Sequence, residues 1–243
     1  MQTHLDIKHA GATFRIQLKR VPTARRYTLR VRAATRDVLL TIPGRGVLRE
    51  AQEFAVRHAA WIGARLNRLP QPIPFAPGNL VPLRGVDHLI VHAPSARGTV
   101  WIETSESESA QPLLCVAGQE AHVARRVMDF LLAHARSDLQ DAVRRHSAAI
   151  EKRPTRVTIR DTSSRWGSCS ANGSLNFSWR LILAPAFVLN YLAAHEVCHL
   201  VHLNHSAHFW RLAKSLCPDT DRAEAWLSAN GAGLHRYGKM TEA

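Results

Sequence analysis

The sequence predicts an α+β fold, because it contains both strand-like and helix-like patterns of apolar residues. Apolar and polar residues alternate with the period of a strand near residues 27–31 and 38–42. Apolar residues recur every three or four positions over about 119–150, which is the period of an amphipathic helix. A hairpin signal near residue 172 then precedes an almost wholly apolar helical stretch. This arrangement is typical of α+β domains.

Residues 1–112 form the first of two predicted parts, which is rich in strands and contains one helix. The two alternating runs predict a pair of antiparallel strands that ends before Pro43. Helical periodicity follows from about 47 to 62. Further strands are expected near residues 79–82, 88–92 and 100–103. The polar run at 105–109, which alternates serine and glutamate, is the predicted boundary between the two parts.

Residues 113–243 form the second predicted part. Its first element is the long helix over about 119–150, and Pro154 closes this region because proline cannot continue a helix. A strand is expected over 155–161, where Val157 and Ile159 alternate with polar residues. This alternation predicts that one face of the strand is buried.

The strongest hairpin signal in the chain is the pair Asn172 and Gly173. Both residue types tolerate the left-handed backbone of a tight two-residue turn. The turn is expected to join a strand at 166–170 to a second strand at 175–181. The next helix is predicted to begin at Pro185.

The length and the cysteine content of the chain predict that its cysteines are reduced and that a hydrophobic core, and not disulfides, stabilises the fold. A chain of 243 residues can bury a sizeable core without disulfides. The four cysteines form no C-x-x-C pair and are expected to be free thiols. The amino-terminal residues contain no apolar signal segment, and no stretch approaches 18 apolar residues. We therefore expect a cytoplasmic protein with no membrane partner.

The charge of the chain favours an anionic partner. The formal net charge is +13, and 27 arginines outnumber 5 lysines. Nucleic acid, nucleotide phosphates and acidic protein surfaces are the partners that such a charge attracts. The basic residues are dispersed along the chain, and no motif of a known nucleic-acid-binding fold is present.

The most specific signal is an H-E-x-x-H motif at residues 195–199. His195 and His199 lie one helical turn apart, so both imidazoles can reach the same ion. Glu196 points away from that row and is free to hold a metal-bound water. Buried imidazoles and a buried carboxylate are costly without partners, and a divalent cation satisfies them together. The motif therefore predicts that His195 and His199 bind Zn²⁺ and that Glu196 is the catalytic base.

His205 is the predicted third zinc ligand. The chain must turn back under the metal to complete the site, and Asn204 can supply that turn in the left-handed conformation. Ser206 is expected to cap a following helix. Glu224, on a later helix, is the alternative third ligand.

Two further histidines near the motif are not predicted to be ligands. His202 continues the ligand row one turn too far, which favours a core or supporting role. His208 is expected inside the following helix, as a surface residue or as a hydrogen-bond donor to the transition state.

These residues together resemble the bacterial YgjP-like metallopeptidases, which are related to the SprT and WLM zincins. The matching strings are RWGSC at 165–169, NGSLNFSWRL at 172–181, HEVCHL at 195–200 and NHSAHFW at 204–210. The specific match covers about 156–234, and residues 25–66 fit the family's amino-terminal part more loosely. The resemblance implies a zincin-like α+β fold, with the same three histidines as metal ligands and Glu196 as general base. Arg165 and Trp166 match the family motif without an assigned chemistry.

Three functions are compatible with the motif. The first is a zinc-dependent metallopeptidase, in which Glu196 activates a zinc-bound water against a protein or peptide substrate. The hairpin before the motif helix favours this function, because a strand over the cleft can pair with an extended substrate. The second is a nucleoside triphosphate pyrophosphohydrolase, an activity proposed for members of the YgjP-like group. The third is a basic nucleic-acid-associated binding module with a structural zinc, although three ligands leave a position open for water.

Overall fold

The computed structural model describes residues 3–32, 35–104 and 111–238. The chain divides into one compact unit, Met1–Gln71, and a second, Pro72–Ala243. This division lies earlier than the boundary expected after residue 112, and the polar run at 105–109 lies outside the described residues. A division at 112 would separate strands on either side of that position that pair in one sheet.

The first unit is a four-stranded sheet with two helices. Its strands are β1 (His4–His9), β2 (Ala12–Val21), β3 (Thr28–Val31) and β4 (Val38–Pro43), and its helices are α1 (Leu48–Arg57) and α2 (Ala59–Asn67). The strand order is β1-β2-β4-β3, in which only β2 and β4 run parallel. Alternate sheet residues such as Ile16 and Leu40 are buried with Ala55 and Ile62 of the helices. The core therefore lies between one face of the sheet and the helices.

Two local features of the first unit differ from the sequence prediction. Strands β1 and β2 form an unpredicted hairpin, whose turn places Ala10 and Gly11 at φ 47° and 79°. The single expected helix is divided at His58, which has φ −102° and ψ 7°. The His58 ring Nδ1 lies 2.7 Å from the carbonyl oxygen of Phe54, one turn earlier. The pairing of β3 with β4 is antiparallel, as predicted.

The second unit begins with another four-stranded sheet. Its strands are β5 (Leu80–Leu83), β6 (Val86–Ala93), β7 (Val100–Glu103) and β8 (Leu113–Ala117), in the order β5-β6-β8-β7. Strand β8 was not predicted, and it pairs with both β6 and β7. Ile90, Leu114 and Val116 are buried in the main core of this unit.

A small three-stranded sheet and four helices complete the second unit. They are helix α3 (Val123–Ala149), strands β9 (Arg156–Arg160), β10 (Gly167–Cys169) and β11 (Ser174–Ser178), and helices α4 (Ala186–Cys198), α5 (Ala207–Leu216) and α6 (Thr220–Leu234). The sheet order is β10-β11-β9, so β10 is an edge strand. The predicted hairpin turn is present, and Gly173 has φ +76°. Strand β11 ends at Ser178, whose hydroxyl accepts the Arg180 N–H at the start of a 3₁₀ turn.

Helix α4 is the most deeply buried helix of the site region. It contacts α3, α5, α6 and strand β10. Nine of its thirteen residues are buried, including the polar Glu196. A helix that is apolar nearly all round requires partners on every side, and its neighbours provide them.

The described residues also bear on the expectations about cysteines and membranes. All four cysteines are free thiols. Among the helices in the described ranges, none combines the length and hydropathy needed to span a bilayer.

Arg180 anchors the carboxyl end of α6. Its side chain is 5% exposed and binds both carboxylate oxygens of Asp161, with Nε–Oδ1 and Nη2–Oδ2 distances of 2.7 and 3.0 Å. Its Nη1 donates to the carbonyl oxygens of Leu234 and Tyr237. The guanidinium also lies 4.6 Å from the centre of the Trp179 ring. One buried cation therefore joins the end of α6 to the segment before α4.

We expect Asp161→Asn to lower the free energy of unfolding by about 1–2 kcal/mol, because it removes the negative charge that binds Arg180. The effect is not larger because Asp161 is half-exposed and water weakens the charged hydrogen bond. Burial alone would raise the pKa of Asp161, but the hydrogen bonds and charge of Arg180 hold it below its usual value of 3.8. The stabilisation is therefore present above about pH 3.8 and is lost as the pH falls through the lowered pKa. Urea unfolding at several pH values measures this loss.

The matched control is Asp129→Asn, which removes an exposed carboxylate 3.8 Å from Arg125. We expect a change below about 0.5 kcal/mol for this exposed pair. Equal effects of the two substitutions would contradict the role of Asp161.

Candidate metal centre

The three predicted ligands lie where α4 ends and α5 begins. His195 is in the last turn of α4, His199 caps the helix, and His205 lies in the loop before α5. The helix ends at Cys198. His199 keeps helical dihedral angles of φ −66° and ψ −15°, so the one-turn spacing from His195 is preserved.

The chain leaves α4 through a hydrogen-bonded turn. The N–H groups of Leu200 and Val201 donate to the carbonyls three residues earlier, as in a 3₁₀ turn. Asn204 is absent from the described non-glycine residues with positive φ, so the expectation of a left-handed Asn204 is wrong. The chain bends at Leu203 and Asn204 without a left-handed residue. Ser206 caps α5 as predicted, by accepting the Phe209 N–H.

The structure brings together the imidazoles of His195, His199 and His205. One nitrogen from each ring lies within 4.8 Å of the other two. The Nε2 atoms of His195 and His205 are 3.0 Å apart. Phe209 of α5 packs against all three rings, with ring centres 4.6–4.9 Å apart. Three nitrogens that converge in this way match the donor set of a transition-metal site.

Hydrogen bonds orient two of the rings so that Nε2 faces the cluster. His195 Nδ1 lies 3.2 Å from the Tyr191 hydroxyl, which donates to Glu224 Oε1 at 2.9 Å. His199 Nδ1 lies 2.9 Å from the carbonyl oxygen of His202. A partner that accepts from Nδ1–H leaves Nε2 with a free lone pair, which is the arrangement that supports metal ligation.

Burial keeps the same two rings neutral. It lowers the pKa of His195 to about 4, with further lowering by the charges of His199 and His205. Burial also lowers the pKa of His199, more than its hydrogen bond with His202 raises it. Neutral imidazole is the form that coordinates a metal, so these residues fit such an ion.

Glu196 is held in a desolvated position beside the cluster. The residue is 5% exposed, and burial raises the pKa of its carboxyl group to about 7, against the opposing charge of Arg165. Its side chain lies against the backbone of Gly167. A Cβ at Gly167 would lie 2.7 Å from Glu196 Cγ and 2.8 Å from Cδ. Because β10 approaches α4 so closely, a larger residue at position 167 would force the Glu196 side chain to move.

An open cavity of about 290 Å³ adjoins these groups. Its lining residues are Trp166, Gly167, Tyr191, Leu192, His195, Glu196, Glu224 and Leu227. Trp166 stacks on His235 with a ring separation of 5.0 Å, and its indole faces Gly231 of α6. Trp166 thus packs against α6 and also forms one wall of the cavity.

Three other candidate residues have positions outside the ligand group. Glu224 is absent from the group of metal-binding donors in the described residues, and its carboxylate binds Tyr191. His202 contributes its carbonyl oxygen to His199, while its ring lies 6.2 Å from that of His208. His208 is exposed on α5. Sequence reasoning missed the Tyr191–Glu224 pair because its members are 33 positions apart, on two helices.

The fold and the site define a class of protein, an α+β protein with a candidate histidine metal centre. A family model described as "YgjP-like, metallopeptidase domain" matches residues 25–230. The chain therefore belongs to the YgjP-like family. This match confirms the resemblance and the fold class predicted from the sequence. Membership of a metallopeptidase family also implies a metal ion.

Comparisons with individual proteins add little. No curated protein matches the chain. A solved structure, the metallopeptidase zymogen of Pyrococcus abyssi abylysin, aligns over 41% of this chain and 97% of its own, with 20% identity and a TM-score of 0.35.

We expect Tyr191→Phe to weaken Zn²⁺ binding by about 10-fold or more, because it removes the group that orients His195. The dissociation constant is measured by competition with a chelator of known affinity. Tyr237→Phe is the control, since Tyr237 is a partly buried tyrosine that does not line the cavity. If both variants bind zinc as tightly as the wild type, Tyr191 does not support the ligand.

Proposed function

We propose that this protein is a zinc-dependent metallopeptidase, in which His195, His199 and His205 hold the metal and Glu196 is the general base. The observation that carries this proposal is the position of the buried Glu196. It lines the same cavity as His195, directly after it on the buried helix α4. A site that brings a base and a metal ligand to one cavity has the parts of a hydrolase.

The donor set supports zinc and an open site. All three donors are imidazole nitrogens, which suit Zn²⁺ better than the hard cations that prefer oxygen. The group found in the described residues has three members, whereas structural zinc sites usually have four protein ligands. This difference favours a catalytic site over a binding module with a structural zinc. When bound there, Zn²⁺ would lower the pKa of a water toward about 7 and polarise the scissile carbonyl.

The chain's own residues account for the proton transfers. Glu196 accepts a proton from the attacking water and later delivers it to the amine leaving group. Tyr191 and Glu224 keep His195 in one tautomer. Gly167 leaves room for the Glu196 side chain, and the contact limits where its carboxylate can move.

Strand β10 supports a peptide substrate. It is an edge strand, and Gly167 at its start lines the cavity. Backbone groups at a free sheet edge can pair with an extended peptide. A cleft with a strand edge beside the base therefore suits a peptide bond better than a pyrophosphate linkage.

A substrate comparison separates the two hydrolase functions. The zinc-loaded protein is incubated with unfolded casein and, separately, with nucleoside triphosphates. Peptide fragments in the first incubation support the peptidase. Release of pyrophosphate in the second, with intact casein in the first, would replace it with the pyrophosphohydrolase.

We expect Glu196→Gln to retain zinc and to lose peptide hydrolysis by about 10²–10⁴-fold, because the ligands remain while the base is removed. Zinc content is measured by mass spectrometry and hydrolysis by fragment release from casein. The control is Glu120→Gln, which neutralises an exposed glutamate outside the cavity. Undiminished turnover in Glu196→Gln would overturn the assigned role.

We also expect Gly167→Ala to slow hydrolysis by about 10²-fold, since the new methyl group displaces the Glu196 carboxylate. Zinc affinity should change little, because the ligands are on other elements. Gly233→Ala is the matched control, since a Cβ there meets nothing within 4 Å. Equal rates for the two variants would show that Glu196 does not depend on this contact.

A further inference from the structure

The basic charge of the chain is concentrated in the first unit. Residues 1–71 contain 14 lysines and arginines against 4 aspartates and glutamates, a formal charge of +10. The remaining 172 residues contain 18 against 15, a formal charge of +3. The candidate metal centre lies in the second unit. The charge therefore belongs to a part of the chain for which the peptidase proposal gives no role.

Within this unit, strand β3 and helix α2 border a cavity of about 400 Å³. Its lining residues are Leu29, Arg30 and Val31 of β3 and Trp61, Ala64, Arg65 and Arg68 of the α2 segment. Strand β3 is at the edge of its sheet. Trp61, Arg65 and Arg68 are spaced by four and three residues, so they follow one face over about 10 Å. The cavity thus combines one aromatic residue with Arg65 and Arg68 on the same helical face, and Arg30 of β3 also belongs to its lining.

Trp61 is 46% exposed, although tryptophan is usually well buried. No ring contact or cation–π contact involves it among the described residues. Its indole is therefore available to a partner. A flat, exposed aromatic ring beside arginines is a stacking platform for bases.

The three arginines have no anionic partner among the described residues. None of the seven ion pairs found there includes Arg30, Arg65 or Arg68. Two of the four acidic residues of the unit are engaged elsewhere, Glu50 with Tyr27 and Glu53 with Arg49. Within the part of the chain that the structure describes, the positive charge at the cavity is therefore not neutralised by an ion pair.

We propose that this β3–α2 cavity binds single-stranded nucleic acid, with a base stacked on Trp61 and phosphates on the arginines. A single strand is favoured over a duplex, because its bases have free faces for stacking. A nucleic acid is favoured over an acidic peptide, because carboxylates match the charge but leave the exposed indole without a stacking partner.

The test measures binding of the full chain to a fluorescein-labelled oligothymidylate over a range of salt concentrations. Trp61→Ala should weaken binding by about 5- to 150-fold and leave the salt dependence unchanged, because it removes stacking alone. Trp61→Phe, which keeps a ring, should retain most of the affinity. Arg65→Ala combined with Arg68→Ala should reduce the slope of log K against log salt by about 1.4.

A double substitution of equal charge is the matched control. Lys8→Ala combined with Arg15→Ala removes two exposed cations from β1 and β2, which lie at the opposite edge of the sheet from β3. This control should lower affinity less than the Arg65 and Arg68 substitutions do. Equal losses, or no binding by the wild type at low salt, would overturn the proposal.

Two further measurements keep the result interpretable. Polyglutamate that displaces the oligonucleotide as well as unlabelled oligothymidylate does would assign the surface to an acidic protein instead. Binding is also measured in Glu196→Gln, where it should be unchanged. If the peptidase proposal fails, the measurement of oligothymidylate binding is therefore unaffected. Circular dichroism checks the fold of each variant. If Trp61→Ala does not fold, the affinity of Trp61→Phe is the test of stacking at position 61.

Discussion

Burial of helix α4 is the constraint on which the candidate site depends. Burial penalises charge, so it lowers the pKa values of His195 and His199 and raises that of Glu196. It also makes any unpaired polar atom costly, which explains why both histidine rings have a partner at Nδ1. Neutral imidazoles, a desolvated carboxyl group and hydrogen-bonded Nδ1 atoms are thus consequences of one packing arrangement.

The sequence predicted the parts of this arrangement that depend on local spacing. The one-turn relation of His195 and His199, the cap at Ser206 and the turn at Gly173 each arise from a few adjacent residues. Such signals are strong because backbone geometry alone decides them. The convergence of His205 also followed from spacing, although Asn204 lies in the bend without the left-handed conformation expected of it.

Sequence patterns did not predict the contacts between segments that are far apart in the chain. Nothing in the spacing of Gly167 and Glu196 reveals that their elements touch, and the pairing of β8 with β6 depends on the whole sheet. The arginines illustrate the same limit. They look dispersed along the chain, and only the division after Gln71 shows that most of the net charge belongs to one unit. Charge counts become informative when they are taken over structural units.

Helix α6 connects the stability of the second unit to the orientation of a predicted ligand. Arg180 donates to the Leu234 carbonyl at the end of α6, and Trp166 packs on Gly231 in the last turn and on His235 just after it. Glu224, near the start of the same helix, accepts the hydrogen bond that fixes Tyr191 against His195. A shift of α6 would therefore move Glu224 before it disturbed any ligand directly. Because α4 is buried among its neighbours, such a shift would change the hydrogen bond at His195 Nδ1 more readily than the distances between the imidazoles.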